Sequence, residues 1–237
     1  MSTRFRELDA TKILDTIAAL ETRVGERFPE SGLRQLCVAL LAIGRDASAR
    51  AAAIAEPNWP LRVLVGLLIA AILVIVIGAV TTLHLSTTFS DFGSFAQAVD
   101  AGVNDVVLLS IGIFFLVGIE RRIKRRRVLH ALHELRSLAH IADMHQLTKD
   151  PESIIDRGAH PDNGVERTMT RMQLARYLDY VTELLSLVSK IAALYVQRFD
   201  DEVAMDAVND IESLTTGLSR KIWQKITLLD MPLPRAM

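Results

Sequence analysis

Histidine side chains carry the clearest potential for chemistry, because four of the six histidines fall between residues 130 and 145. At about 100° per residue, His130, His133 and His140 share one face of a predicted helix, opposite a face of leucine and alanine. His130 stands one turn before Glu134, and imidazoles with a carboxylate are common metal ligands. The pattern is not H-E-x-x-H, since Ser137 stands four residues after His133. The candidate metal ligands are therefore His130, His133, Glu134 and His140, and the alternative is a plain polar helix face.

Motifs for nucleophilic catalysis or phosphate binding are absent from the sequence, which contains no G-x-S-x-G, G-x-x-x-x-G-K-[ST] or G-x-G-x-x-G. Acids and imidazoles do concentrate farther along the chain, at Asp143, His145, Asp150, His160 and Asp162. This concentration keeps a metal-dependent membrane enzyme, using the histidines from 130 to 145, among the alternatives. The sequence otherwise favours a protein without catalysis and predicts no cofactor.

An uncharged stretch from Val63 to Leu83 indicates where the chain meets a membrane. Its 21 residues would form a helix about 31 Å long, which matches the hydrocarbon core of a bilayer. A second span is predicted from Ala101 to Ile119, where 19 residues give about 28 Å. Because the chain is 50% apolar but also 23% charged, we expect one part in the membrane and another in water.

Basic residues orient these two predicted spans. Arginines precede the first span and a dense basic run follows the second, whereas His84 to Asp105 contains no lysine or arginine. The positive-inside rule therefore predicts cytoplasmic termini and an external connection at 84–102, as in a multi-pass protein of the plasma (inner) membrane. The polar N-terminus lacks the apolar core of a secretory signal, which fits the same topology.

The basic run also predicts a partner, because cations at a membrane surface attract anionic headgroups. Its members are Arg121, Arg122, Lys124, Arg125, Arg126 and Arg127. No nucleic acid is expected there, since the membrane would occlude one side and no aromatic residues are interleaved for base stacking. A formal net charge of −1 likewise gives no global attraction for nucleic acid.

Helical spacing of apolar residues predicts four further helices outside the membrane. Two lie before the first span, from Ala10 to Phe28 and from a cap at Ser31 to Pro57, where the PNWP break predicts a hinge. Cys37 lies in the apolar rhythm of the second and is predicted to be buried. The other two form a C-terminal hairpin opened by the capping box Thr170–Gln173.

Apolar stripes specify which faces of the C-terminal hairpin we expect to be buried. The first helix carries Tyr177, Leu178, Val181, Leu184, Leu185, Val188, Ile191, Ala192 and Tyr195, and the second carries Val203, Ala207, Ile211, Leu214, Leu218, Ile222 and Ile226. Between Ile119 and Asp150 no glycine or proline occurs. The second span is therefore predicted to leave the membrane as one unbroken helix from about Val103 to about His145.

Small residues within the spans predict close helix packing, either inside the hairpin or between subunits. Gly66 and Ala70 form a small-xxx-small pair in the first span, and Ser110 is the one polar residue near the centre of the second. A channel would be lined by the second span near Asp105 and Ser110.

Within Val103 to Glu152 the chain reads VNDVVLLSIGIFFLVGIE, followed by LHELRSLAHIADMHQLTKDPE. This part of the chain resembles a set of uncharacterised bacterial two-pass membrane proteins. This resemblance implies the architecture alone. The predicted fold is all-α: a two-span transmembrane hairpin with a cytoplasmic bundle of N- and C-terminal helices. Its parts are a helix pair at 1–60, the hairpin at 61–119 and a helical domain at 120–237.

The function predicted from these features is a membrane-anchored interaction or scaffold module that is homo-oligomeric. Its expected partners are membrane lipids, further copies of the chain and a cytoplasmic protein. A small oligomeric ion channel and the metal-dependent membrane enzyme remain the alternatives. A metal ion is implied only by the last of these.

Overall fold

The computed structural model describes residues 7–84, 92–147 and 169–230. Seven helices account for nearly all of these residues: α1 (Ala10–Arg27), α2 (Gly32–Ala55), α3 (Trp59–His84), α4 (Phe92–Val117), α5 (Ile119–Leu147), α6 (Arg171–Val196) and α7 (Glu202–Asp230). No strand occurs in the three described ranges, so the prediction of an all-α fold is confirmed.

The chain divides into two compact units. One comprises Met1–Ala55 and Arg127–Met237, and we call it the helical unit; the other, Glu56–Arg126, we call the apolar unit. The chain therefore passes between units just before Glu56 and again within α5. Both limits differ by a few residues from the predicted domain limits at 60 and 120.

Helix α6 lies at the centre of the helical unit, where it contacts α1, α2 and α7. All nine apolar residues predicted for its stripe are buried, which confirms that prediction. Two contacts show the relative direction of α1 and α6. Leu8 N, just before α1, donates to Gln197 Oε1, just after α6, whereas Arg23 near the end of α1 pairs with Glu183 near the middle of α6. Helix α1 is therefore antiparallel to α6, and both helices contribute to one continuous core.

Helix α7 buries a different face from the one predicted at its start. Ala204 and Val208 are buried, whereas Val203 is exposed and Ala207 is half-buried. The helix begins at Glu202, and Asp201 Oδ1 accepts a hydrogen bond from Ala204 N. The start of α7 thus has two apolar rows, Val203 with Ala207 and Ala204 with Val208. The packing of α7 against α6 decides which row is buried. Thr215 lies in the buried seam with its hydroxyl donating to Ile211 O.

Helix ends follow the caps that the sequence indicates. Thr170 Oγ1 accepts from Gln173 N while Gln173 Oε1 accepts from Thr170 N, which confirms the capping box. Ser31 Oγ accepts from Arg34 N at the start of α2. Asp9, which the sequence reading missed, caps α1 by accepting from Thr11 N. Each cap satisfies amide groups that have no partner within the first turn of a helix.

Cys37 is fully buried in the core, as predicted, and burial raises the pKa of its thiol to about 12. Because the thiolate is the reactive form and the sulfur is inaccessible, we expect native protein to resist an aromatic disulfide reagent at pH 8. The thiol should react at once when the helical unit unfolds. Rapid reaction of native protein, followed by absorbance, would contradict the buried placement.

The apolar unit contains the helix that is long and apolar enough to cross a membrane. In the region of α3, an 18-residue window has a mean hydropathy of 2.9, and none of it is buried. Among the described residues, a second such segment is obtained only if Gly102–Val117 of α4 and Ile119–Leu147 are counted together as one bent span. Large apolar side chains on both α3 and α4 are exposed, including Ile75 at 70% and Phe114 at 77%.

The predicted unbroken helix from Val103 to His145 is wrong at one point. Gly118 lies between α4 and α5, and the two helices meet there with a bend of 41°. Glycine lowers helix stability by about 1 kcal/mol relative to alanine and is a usual position for a kink. From Ile119 to Leu147 the helix is continuous, as expected. Before the second predicted span, α4 already begins at Phe92, so residues 92–100 continue into that span as one helix.

Candidate functional site

A carboxylate at the start of α5 organises a polar cluster within the apolar unit. Glu120 Oε2 accepts from Arg62 Nε at 2.7 Å, and Glu120 Oε1 accepts from Asn58 N at 3.0 Å. Lys124 Nζ lies 3.0 Å from Glu120 Oε1 and donates to Glu56 O at 2.6 Å. We call these five residues, Glu56, Asn58, Arg62, Glu120 and Lys124, the Glu120 clasp. The clasp joins the start of α3 to the start of α5.

The clasp keeps Glu120 ionised. The hydrogen bond from Arg62 and then that from Asn58 N lower the pKa of Glu120 to about 2. Burial opposes them, and Lys124 contributes a smaller lowering. Its side chain is only 16% exposed, so the surrounding donors replace most of its contact with water. One carboxylate thus faces two cations, Arg62 and Lys124.

No role for Glu120 follows from the sequence, whereas the PNWP segment predicts a hinge. The helical break is present, since α2 ends at Ala55 and α3 begins at Trp59. However, Asn58 in this break is tied through its amide to Glu120. Glu120 is the one acid beside the six cations of the basic run. A lone acid beside a basic run was the sequence feature that could have indicated a role for Glu120. Its partner could not be identified in this way, because Arg62 is 58 residues away in sequence.

The structure distributes the predicted lipid-binding cations among different surroundings. Lys124 is mostly buried in the clasp, so its charge is engaged by Glu120 and Glu56 O. Arg122 Cζ lies 4.2 Å from the centre of the Phe115 ring and folds back over Gly118. Arg121, Arg126 and Arg127 are exposed, and Arg125 is half-buried. Lipid contact by these four arginines stays a prediction.

A groove of about 370 Å³ opens beside the clasp, between α3 and the α4–α5 junction. Its walls are apolar except at one end, which is formed by Arg62 and Glu120. Gly66 lines the groove, and a Cβ atom built there would meet no atom within 4 Å. The close packing predicted for Gly66 is therefore not seen inside the hairpin, and its packing between subunits stays a prediction.

The candidate metal ligands lie on one exposed face of α5, but they do not converge. His130 Nδ1 is 3.3 Å from Glu134 Oε1, while Arg50 Nη1 lies 3.5 Å from the other oxygen of Glu134. His133 and His140 are exposed on the same helix. Among the described residues, no group of three or more His, Cys, Asp or Glu side chains is placed to hold a metal ion. An arginine beside the one carboxylate also disfavours a bound cation.

We expect the double variant His133→Gln, His140→Gln to leave the metal content, helicity and mass of the purified protein unchanged. The physical reason is that both imidazoles face solvent without further ligands nearby. Elemental analysis of detergent-purified parent and variant makes the comparison. Stoichiometric zinc or iron in the parent that the variant loses would instead establish a metal site.

The remaining acids and imidazoles named from the sequence do not form a catalytic group in the described residues. His145 packs against the start of α2, where a Cβ atom on Gly32 would overlap the imidazole ring. Asp143 Oδ1 accepts a hydrogen bond from Gln146 Nε2. Asp150, His160 and Asp162 lie outside the described residues.

Of the two residues predicted to line a channel, the side chain of Asp105 lies outside the described residues and that of Ser110 is described. Ser110 Oγ donates to Val106 O of its own helix at 2.7 Å, so its hydroxyl is satisfied without an external ligand. Apolar residues surround it on α4.

No protein-family model, curated protein or solved structure matches this chain.

Proposed function

We propose that the protein is a membrane-anchored interaction or scaffold module, with α3 and α4 as a two-span anchor. The observation that carries this proposal is the contrast in burial between the two units. The helical unit buries its apolar side chains around one core, whereas most large apolar side chains of the apolar unit are exposed. Exposed aliphatic surface on this scale requires an apolar environment, and a bilayer supplies it along both helices.

The Glu120 clasp supports a hairpin topology. It joins the start of α3 to the start of α5, and these are the two places where basic residues flank the apolar helices. In the proposed topology both lie at the cytoplasmic surface of the inner membrane, and the helical unit lies in the cytoplasm.

Interaction rather than catalysis is the proposed role of the helical unit. Its surface keeps several large apolar side chains exposed, and among the described residues no convergent catalytic group accompanies them. Examples are Met144 on α5, Met172 on α6 and Trp223 on α7. Exposed methionine and tryptophan side chains are typical of protein-binding surfaces, so we propose a second copy or a cytoplasmic protein as the partner.

Reporter fusions test the proposed topology. We expect alkaline phosphatase fused after Ser90 to be active, because residues 84–102 contain no lysine or arginine and Ser90 should therefore lie outside. Fusions after Arg127 and after Met237 should be inactive, and a cytoplasmic reporter at the same positions should give the reverse pattern. An inactive phosphatase at Ser90 would contradict the two-span anchor.

A further inference from the structure

We propose that the groove beside the Glu120 clasp binds one anionic phospholipid, with an acyl chain in the groove and the phosphate on Arg62. The inference rests on the proposed insertion of α3 and α4 into a membrane. It adds a defined lipid site, which differs from general attraction of headgroups by the basic run.

The walls of the groove suit a hydrocarbon chain. Leu61, Val65 and Ile69 line it from α3, and Leu116, Val117 and Ile119 line it from the other side. Gly66 leaves the centre open, since a Cβ atom there would have no neighbour within 4 Å. At membrane depth, an apolar groove of about 370 Å³ is filled by lipid or by protein, because water finds no hydrogen-bonding partners along such walls.

The polar end of the groove suits a phosphate. Arg62 uses its Nε to donate to Glu120, and the side chain remains 53% exposed. A guanidinium group held in place by a carboxylate still presents donors in a plane, which is the geometry that phosphate oxygens accept. Glu120 does not repel the anion strongly, because Lys124 adds a second cation at the same carboxylate.

Charge favours a lipid over a second copy of this chain as the occupant. Copies inserted in the same orientation would bring Arg62 and the basic run to the same depth in the membrane. Their like charges would then repel one another at that depth, which disfavours a second copy beside Arg62. An anionic headgroup brings the complementary charge to the same level, at the boundary between headgroups and hydrocarbon.

Tryptophan fluorescence can report on this site because the chain has two tryptophans and one lies close to the groove. Trp59 stands one turn before Arg62 on α3 and is 67% exposed. We would reconstitute the full chain with Trp223→Phe into phosphatidylcholine vesicles containing a minor amount of brominated lipid. Phosphatidylglycerol and phosphatidylcholine, each brominated on its acyl chains, would be compared as quenchers of Trp59.

We expect brominated phosphatidylglycerol to quench Trp59 at about fivefold lower mole fraction than brominated phosphatidylcholine, the preference that one cation near an anionic lipid produces. Gly66→Leu should lower this preference to the level that the basic run alone produces, because it fills the groove. Gly78→Leu is the matched control on α3, because a Cβ atom there also meets nothing within 4 Å, and it should retain the preference.

Four results would overturn the site. Equal quenching by the two lipids, or a preference that Gly66→Leu leaves unchanged, would refute it while leaving membrane anchoring intact. An oligomeric parent that becomes monomeric with Gly66→Leu would show that a second copy occupies the groove. Absence of quenching by either lipid would refute the membrane anchor itself, and the lipid site with it.

Discussion

Gly44→Leu is expected to lower the free energy of unfolding of the helical unit by about 3 kcal/mol. A Cβ atom on Gly44 would lie 2.9 Å from Leu14 Cδ2 and 3.2 Å from Ile191 Cδ1. Helices α1, α2 and α6 come together at this position, and a larger side chain would have to separate them. Core side chains are closely packed and yield only by leaving their preferred rotamers, which is why the cost is large.

Thermal unfolding of the full chain in a non-ionic detergent, followed by circular dichroism, measures this effect. Gly217→Ala is the matched control, because Gly217 is exposed on α7 and a Cβ atom there meets nothing within 4 Å. The control should gain up to about 1 kcal/mol from better helix propensity. Gly44→Ala should lie between the two, since its gain in propensity is opposed by the contact with Leu14. A Gly44→Leu midpoint equal to that of the parent would contradict the packing described for α1, α2 and α6.

Glu120→Gln is expected to destabilise the apolar unit by about 2 kcal/mol, because hydrogen bonds to charged groups contribute about 1.5–3 kcal/mol each. The substitution preserves the shape of the side chain but removes the charge that faces Arg62 and Lys124. Glu56→Gln is the matched control, since Glu56 takes part in the clasp through its backbone oxygen. That control should change stability by less than about 0.5 kcal/mol.

The same clasp predicts a dependence of stability on pH. The folded-state pKa of Glu120, about 2, lies below its ordinary value of 4.5. The stabilisation is therefore complete above pH 4.5 and is lost as the pH falls from 4.5 towards 2. In detergent, the difference in midpoint between parent and Glu120→Gln should shrink over this range. A difference that stays constant down to the lowest pH measured would show that the carboxylate charge does not carry the stabilisation.

The buried stripe of α6 and the first residues of α7 show how far sequence periodicity reaches. On α6 the apolar residues occupy a single register, and every predicted position is buried. At the start of α7, apolar residues stand in two adjacent registers, and burial favours Ala204 and Val208 over Val203. Helical periodicity could not show which of these two rows of α7 is buried, because that depends on where α6 contacts α7.

The amino-acid sequence by itself determined the helices, most of their caps and the length of the apolar segment at Val63 to Leu83. These features depend on helical periodicity, on capping side chains within one turn and on uninterrupted hydrophobicity, all of which are local. The tertiary structure alone decided the partners of Glu120, the approach of three helices at Gly44 and the open groove at Gly66. Each depends on how helices distant in sequence come together, and the distances between their side chains are fixed only when the helices pack.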